Sequence, residues 1–446
     1  MVKTIINKTK KEQLESIYKD QEDVILIFIK FKSFKDSTNK HDRYPKKENF
    51  YKDTEELKNL AISAGAKVDS EVIFNQVKPN PKYFISKGKL EQIKNIVFEK
   101  NIDLVIFSED ITPAQQTNIQ EKLNIKVIDK TALILDIFAQ RAHSREGKLQ
   151  VELAQLNYIL PRLSGKGIQL SRLGGGIGTR GPGETKLEVD RRKIRDRIRQ
   201  LEKKINQIGI QRDVQRKKRE ENNIFQVSLV GYTNSGKSTL LNTITNSDVY
   251  TKDMLFSTLD STTRRLKISA VQEILISDTV GFIEKLPHQL IASFKSTLEE
   301  VRKCNLLLLI VDISDNNFEN HILSVKKVLR EIGVYYKHIF LVFNKIDKIG
   351  ESELQRIRIK YKNAIFISAL KKIGVEDICC RVKKIIEKHF LSITVKIPYS
   401  ENKLISFIYD NCQILKKQYF EDGISLLLKT DFRYYSKLSR YICKKA

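Results

Sequence analysis

The sequence predicts an α/β fold in four parts. These are an N-terminal α/β domain (1–143), an antiparallel helical hairpin (144–222) with a glycine-rich tip (164–183), a second α/β domain built on a phosphate loop (223–390) and a small α+β tail (391–446). Three observations predict it. Strand-like and helix-like patches alternate through the first part. Two apolar heptad seams flank a glycine-dense loop. A short apolar run, Phe225 to Val230, leads into Gly231-Tyr232-Thr233-Asn234-Ser235-Gly236-Lys237-Ser238, and Thr239-Leu240-Leu241-Asn242 then opens a helix.

In the first part Val24 to Ile29 reads as a strand. Glu55 to Ala64 reads as a helix stopped by Gly65. Val68 to Phe74 is extended, Lys89 to Lys100 helical, Leu104 to Phe107 extended. Pro113 to Leu123 is a helix with proline near its start, followed by a short strand at Val127-Ile128 and a helix over Thr131 to Arg141. The alternation predicts a small parallel sheet. No acid/base pair or activated nucleophile stands out in it.

In the hairpin, Leu149, Leu153, Leu156, Leu160 and Leu163 follow a 4, 3, 4, 3 spacing, and Ile194, Ile198, Leu201, Ile205 and Ile208 repeat it, with Leu187 one heptad earlier. Either seam alone would expose an apolar stripe, so the two are expected to pack on each other. The second helix, Glu184 to Asn222, would extend about 58 Å. The joining segment, 164–183, is dense in glycine. Arg162, Lys166, Arg172, Arg180 and Lys186 stand in or beside it against the single acid Glu184. Ordering such a loop costs entropy, which counterion release from phosphates can offset, so RNA contact is expected there.

The third part carries the chemistry. Gly231 to Ser238 fits a glycine, four residues, then Gly-Lys-Ser, between a strand and a helix. Backbone N–H groups and the helix N-terminus then face phosphate oxygens. Asp278-Thr279-Val280-Gly281 follows the apolar Ile274-Leu275-Ile276. The aspartate suits a Mg²⁺ shell, and the glycine lets an N–H approach a γ-phosphate. Asn344-Lys345-Ile346-Asp347 follows Ile339 to Phe343, and the Asp347 carboxylate can accept from N1–H and N2–H of guanine, a donor pair that adenine lacks. Ser368-Ala369-Leu370 follows Ala364 to Ile367 and offers backbone donors to the guanine O6.

These four motifs, each after a β-like run, resemble a Ras-like P-loop GTPase domain across about Asn223 to Phe390. A mobile hydroxyl ligand to Mg²⁺ is then expected between 255 and 265. The residues leave Thr258, Thr262 and Thr263 open. The string Phe256-Ser257-Thr258-Leu259-Asp260 resembles the switch of the Obg and HflX group and points to Thr258. The resemblance gives Lys237, Thr258 and Gly281 the catalytic roles, and Ser238 and Thr258 the metal. Phe282 stands where Ras-like enzymes place a water-orienting glutamine, which implies slow unaided hydrolysis. Asn234 stands where potassium-activated relatives bind K⁺, and stimulation by K⁺ is expected.

The tail alternates over Leu391 to Ile397, turns helical over Lys403 to Asp410, and shows a hairpin signal at Glu421-Asp422 between Cys412–Phe420 and Gly423–Leu428. A final helix is expected over Asp431 to Ile442. With 80 Lys and Arg against 54 Asp and Glu, the net charge of +26 points to an anionic partner, nucleic acid before membrane. No apolar run is long enough to span a bilayer, and no secretory signal leads the chain. The five cysteines show no zinc spacing and fit a reducing cytoplasm.

Nearly the whole chain resembles the HflX family. The resemblance rests on Ser63-Ala64-Gly65-Ala66, Ser86-Lys87-Gly88-Lys89-Leu90, Asp136 to Ala142, Lys148 to Ala154, Gly183 to Glu188 and Asp278 to Phe282. Ser86 departs from the family's usual glycine, away from the nucleotide motifs. The resemblance implies a monomeric, cytoplasmic GTPase that uses GTP, GDP and Mg²⁺. It would bind the large ribosomal subunit through the hairpin and its loop, without membrane insertion, and promote dissociation or rescue of stalled ribosomes. The competing reading is a GTP-gated RNA-binding or ribosome-assembly switch with negligible hydrolysis.

Overall fold

The structure is a computed structural model. It describes residues 21–31, 47–163, 186–221, 224–245, 256, 258, 262–268, 273–283, 300–334, 338–387, 390–431 and 434–443. The glycine-rich tip, 164–183, lies outside the described residues, as do Ser257, Leu259 and Asp260. The chain divides into two compact units. The first runs to Arg212 and takes in Phe256 and Thr258; the second comprises the remaining described residues.

In chain order the first unit contains β1 (Asp23–Phe31), α1 (Lys47–Ser63), β2 (Lys67–Gln76), α2 (Lys87–Lys100), β3 (Leu104–Phe107), α3 (Pro113–Leu123), β4 (Lys126–Asp129), α4 (Lys130–Arg141) and α5 (Arg145–Arg162). The sheet is wholly parallel, in order β2-β1-β3-β4. Its central strand is a continuous apolar run, Val24 to Ile29, as expected of a strand covered on both faces. Thr112 closes a capping box with Gln115 at the start of α3. Helix α1 begins at Lys47, ahead of the expected Glu55, because its first turns carry no apolar periodicity that would mark a start.

Asp129 ends β4 and caps α4 by accepting from the Ala132 N–H. Though fully buried, it also accepts from the Tyr158 hydroxyl at 2.8 Å and from Arg162 Nη2 at 2.9 Å. Burial pushes its carboxyl upward, against the pull of these donors. Arg162 further donates to Gln116 Oε1 at 2.9 Å and to the Ile111 carbonyl at 3.1 Å. By its place in the sequence this arginine belongs to the basic flank of the glycine loop. It is instead committed inward, and fixes the last turn of α5 to the sheet.

Helix α6 spans Lys186–Glu221, 36 residues, close to the expected bounds. Two ion pairs set α5 and α6 antiparallel: Arg197 grips Glu152 at 2.7 and 2.9 Å, and Arg212 reaches Glu146 at 2.8 Å. Leu153 and Leu201 of the two seams are buried, and the other described seam residues are half-buried. That pattern fits a seam packed on one side.

The second unit holds β5 (Phe225–Gly231), α7 (Lys237–Thr245), β6 (Thr262–Lys267), β7 (Glu273–Asp278), β8 (Leu306–Asp312), α8 (Phe318–Glu331), β9 (His338–Asn344), α9 (Glu351–Lys360), β10 (Ile365–Phe366) and α10 (Val375–Glu387). Its six strands run in order β10-β9-β8-β5-β7-β6, all parallel except the edge strand β6. Val227, Leu229, Ile276, Leu308, Ile310 and Val342 form the centre of its core. Strand β6 has no sequence signature, because Thr-Thr-Arg-Arg-Leu-Lys is an open edge with little to bury.

The tail, within the same unit, comprises β11 (Phe390–Pro398), α11 (Asn402–Asn411), β12 (Gln413–Phe420) and β13 (Gly423–Asp431), an antiparallel sheet in order β11-β13-β12. The single expected last helix is not formed. Asp431 still belongs to the β13 ladder, and beyond it lie one turn, α12 (Tyr435–Leu438), and a 3₁₀ turn at Ser439–Tyr441. Among the described residues there, only Leu438 is fully buried, too little to support three turns.

Candidate nucleotide site

Four segments meet at the carboxyl ends of parallel strands, where open α/β sheets hold ligands. Gly231 ends β5, flanked by β7 and β8. A Cβ on Gly231 would strike the Ile310 carbonyl, so only glycine lets the strand turn there. Gly236 has φ +87°, and a Cβ on it would strike Asn344 Nδ2. Between them Asn234, exposed, takes φ +60°. The loop feeds α7, whose N-terminal end is where a helix favours an anion.

The side chains of the loop fit that anion. Lys237 is buried and donates to the carbonyls of Gly231 at 3.3 Å and Tyr232 at 2.9 Å. The buried hydroxyls of Thr233 and Ser235 have no hydrogen-bond partner among the described residues. Buried donors left over beside a lysine are what phosphate oxygens satisfy. Ser238 Oγ donates to Asp278 Oδ2 at 2.5 Å, so a hydroxyl and a carboxylate stand together, suited to a Mg²⁺ shell.

Burial lowers the Lys237 ammonium to about 8, with Asp278 pulling it back up. Phosphate oxygens favour the charged form, so the sign is clear. Below pH 8 the ammonium is already charged and nucleotide binding takes up no proton. Above pH 8 binding must protonate it. Nucleotide affinity is therefore expected to be flat below about pH 8 and to fall up to about tenfold per pH unit above it. Titration calorimetry in buffers of different ionisation enthalpy checks this through the proton uptake.

The Asp278–Phe282 segment is stitched to the phosphate loop. Phe282 N–H donates to the Gly231 carbonyl at 3.0 Å, and Thr233 N–H donates to the Phe282 carbonyl at 2.7 Å. Thr279 Oγ1 donates to the Leu229 carbonyl at 2.7 Å, a structural tie. Val280 is half-buried, and Phe282 is buried and presents no polar atom to a water.

On the base side Asn344 is a staple. Its Nδ2 donates to the Ser235 carbonyl at 2.9 Å, and its Oδ1 accepts from the Ala369 N–H at 2.9 Å. Asn344 thus holds the phosphate loop and the Ser368–Leu370 turn in one piece. Asp347 lies outside this staple. The Ser368 hydrogen bond holds its carboxyl below the usual range, so it is an acceptor at neutral pH. Lys345, at φ +65°, pairs with Asp312 at 2.7 Å. Ile346 N–H donates to the Ile367 carbonyl at 3.3 Å, Ser368 and Ala369 are buried, and Leu370 is exposed.

Sequence reasoning missed three supporting residues. Asp312 orients Lys345. His321 of α8 stacks on Tyr232, with ring centroids 3.8 Å apart. Thr243 donates to the Ala369 carbonyl at 3.0 Å. Only Asp312, ending an apolar strand, had a signal. Among the alternative switch threonines, Thr262 and Thr263 lie in β6, where the Thr263 and Ser277 hydroxyls bond at 2.9 Å.

Phe256 and Thr258 group with the first unit. Thr258 is half-buried. The Phe256 ring is buried edge-on against Phe138 of α4, with centroids 4.7 Å apart. Phe256→Ala is expected to destabilise this unit by about 3 kcal/mol through the cavity it leaves; urea unfolding followed by circular dichroism measures it.

Comparison with known proteins places the chain. Residues 51–139 match the model described as GTP-binding GTPase N-terminal, 141–219 the GTP-binding GTPase middle region, and 226–345 the 50S ribosome-binding GTPase. The GTPase HflX of Caldanaerobacter subterraneus subsp. tengcongensis is 44% identical over 387 residues, which cover 87% of this chain and 89% of the relative. The chain belongs to the HflX family of GTPases. The HflX of Escherichia coli is 40% identical, over 84% of this chain and 89% of its own. Among solved structures, a GTP-binding protein of Sulfolobus solfataricus in complex with GDP is 28% identical with a TM-score of 0.41, over 82% of this chain and 98% of that one. As an HflX-family member the chain binds guanine nucleotide and is a hydrolase acting on GTP. Among its described residues, no helix is long and apolar enough to cross a membrane.

Proposed function

We propose that this HflX-family GTPase binds the large ribosomal subunit in its GTP form and promotes dissociation or rescue of stalled ribosomes, leaving after hydrolysis. The observation that carries the reading is the match of residues 226–345 to a 50S ribosome-binding GTPase, on a chain whose nucleotide motifs converge at the carboxyl ends of its parallel strands. In this reading Gly231 to Ser238 cradle the phosphates and Lys237 stabilises charge growing on the β- and γ-phosphates. Ser238 and Thr258 would hold Mg²⁺, with Asp278 behind them, and the ion would neutralise phosphate charge. Ser257, Leu259 and Asp260 would belong with Thr258 to the string that responds to GTP. The Gly281 N–H meets the γ-phosphate. Asp347 reads guanine beside Lys345 and Ile346, and Ala369 and Leu370 offer it backbone donors. The glycine-rich tip (164–183) reaches rRNA, and the protein acts as a cytoplasmic monomer.

Phe282 supports a slow unaided rate, since its buried ring cannot orient water. Asn234, exposed at the loop's crest, is suited to a K⁺ ion that supplies part of what is missing. Multiple-turnover GTP hydrolysis is expected to rise with added large subunits, and to run faster in KCl than in NaCl. Turnover indifferent to large subunits, with GTP-dependent co-sedimentation intact, would favour the alternative of a binding switch in ribosome assembly.

A further inference from the structure

The tail sheet is covered on one side only. Leu404, Ile408 and Leu438 pack on Val395, Ile397, Ile424, Leu426 and Leu428. Cross-strand partners share a face. The ladder pairs Lys396 with Ser425 and Ser425 with Gln418; it also pairs Leu427 with Lys416, and Gly423 with Phe420. These residues therefore form the opposite face. On it Lys396, Lys416, Gln418 and Phe420 are exposed. Between Ser392 and Pro398, Gln413 and Phe420, and Gly423 and Lys429, no strand carries a carboxylate. The nearest acids stand at its borders: Asp431 ends β13 opposite Phe390, Glu387 pairs with Lys429 at 3.3 Å, and Glu421 and Asp422 form the hairpin turn.

Three aromatic rings gather at the hairpin end. Phe420 is 46% exposed, Tyr419 61% and Tyr399 43%. The Tyr399 hydroxyl donates to the Phe420 carbonyl at 3.1 Å, which keeps the two residues together. The Lys396 ammonium lies over the Phe420 ring at 5.0 Å, and that of Lys417 over the Tyr419 ring at 5.8 Å. Interleaved rings and ammonium groups suit neither an apolar protein partner nor a bilayer core. Adjacent lysines on edge strand β12 also discourage an added β-strand. The pattern fits a ligand with flat faces strung on a charged backbone.

We propose that this face of the tail sheet and its β12 edge bind unpaired RNA. A base stacks on Phe420, and Lys396 and Lys416 take the flanking phosphates, while Tyr419 and Lys417, which pair with Ile424 and Leu426 and so project to the other side, hold the RNA where it rounds the β12 edge. The proposal rests on the ribosomal reading above only for the source of that RNA.

The test uses the full chain and a labelled oligouridine of about twelve nucleotides, followed by anisotropy at low and moderate salt. Tyr419→Ala with Phe420→Ala is expected to weaken binding about ten- to a hundredfold. Phe420→Leu, which keeps bulk but loses the π-face, is expected to weaken it less but measurably. Lys416→Gln with Lys417→Gln should flatten the salt dependence by roughly 1.4 in the log–log slope. Basal GTP turnover should not change. Wild-type affinity and salt slope in all the β12 variants overturn the proposal, and so does a wild-type protein that does not bind the probe. If those variants bind RNA normally yet fail to co-sediment with large subunits, the surface serves a protein and the proposal again falls. Deleting Gly174 to Gly176 gives a separate arm: loss of subunit binding there alone leaves the hairpin reading standing without this one.

Discussion

Asn344→Ala is expected to lower affinity for both GDP and GTP by roughly a thousandfold. The side chain is 2% exposed and touches two backbone groups, the Ser235 carbonyl and the Ala369 N–H. Alanine leaves both buried and unsatisfied. At about 1–3 kcal/mol for each, the cost is about 4 kcal/mol, or close to three decades in the dissociation constant. The loss falls on binding because the two ends of the staple are the phosphate side and the base side of one pocket. Untied, each must be ordered by the nucleotide. Asn344→Asp ranks between the two, since a carboxylate still accepts from Ala369 but cannot donate to Ser235. Fluorescent-nucleotide titration gives the ranking, and circular dichroism at saturating GDP checks that the variants remain folded. Wild-type affinity in the alanine variant would mean that the two loops hold their places unaided.

That staple marks where the sequence stops being informative. The motif Asn344 to Asp347 is visible because it closes the apolar run Ile339 to Phe343, and a polar turn at a strand's end is a local pattern. Which of its members meets the base and which meets the protein depends on Ser235 and Ala369, distant in the chain. The same division holds elsewhere. The heptads of α5 and α6 are legible as one-sided stripes, whereas Arg162 looks like another cation of the loop until Asp129, buried at the end of β4, claims it. Strand β6 and the broken last helix are illegible for a related reason. An edge strand and a terminal turn bury too little for periodicity to develop, so neighbours decide their form.

Gly281→Ala is expected to reduce subunit-stimulated GTP turnover about a hundredfold while leaving GDP affinity within about threefold. An added Cβ would lie 2.8 Å from Thr233 Cγ2, 2.9 Å from Thr233 Cα and 3.2 Å from Lys237 Nζ. The first two belong to a buried loop residue that cannot swing aside, so the 279–282 segment has to retreat. Retreat breaks the Phe282 N–H bond to the Gly231 carbonyl and the Thr233 N–H bond to the Phe282 carbonyl. It would also withdraw the Gly281 N–H from the γ-phosphate that the proposed function has it meet. Losing one preorganised backbone donor to developing charge costs about two to three decades in rate, whereas GDP has no γ-phosphate to miss it. The same geometry separates backbone from side-chain effects. Phe282 is 3% exposed, so Phe282→Gln would bury an amide away from solvent. It is expected to give no gain in turnover. Stimulated turnover surviving in Gly281→Ala, or rising in Phe282→Gln, would show that catalysis here depends on a side chain at this position and not on the close approach of the backbone.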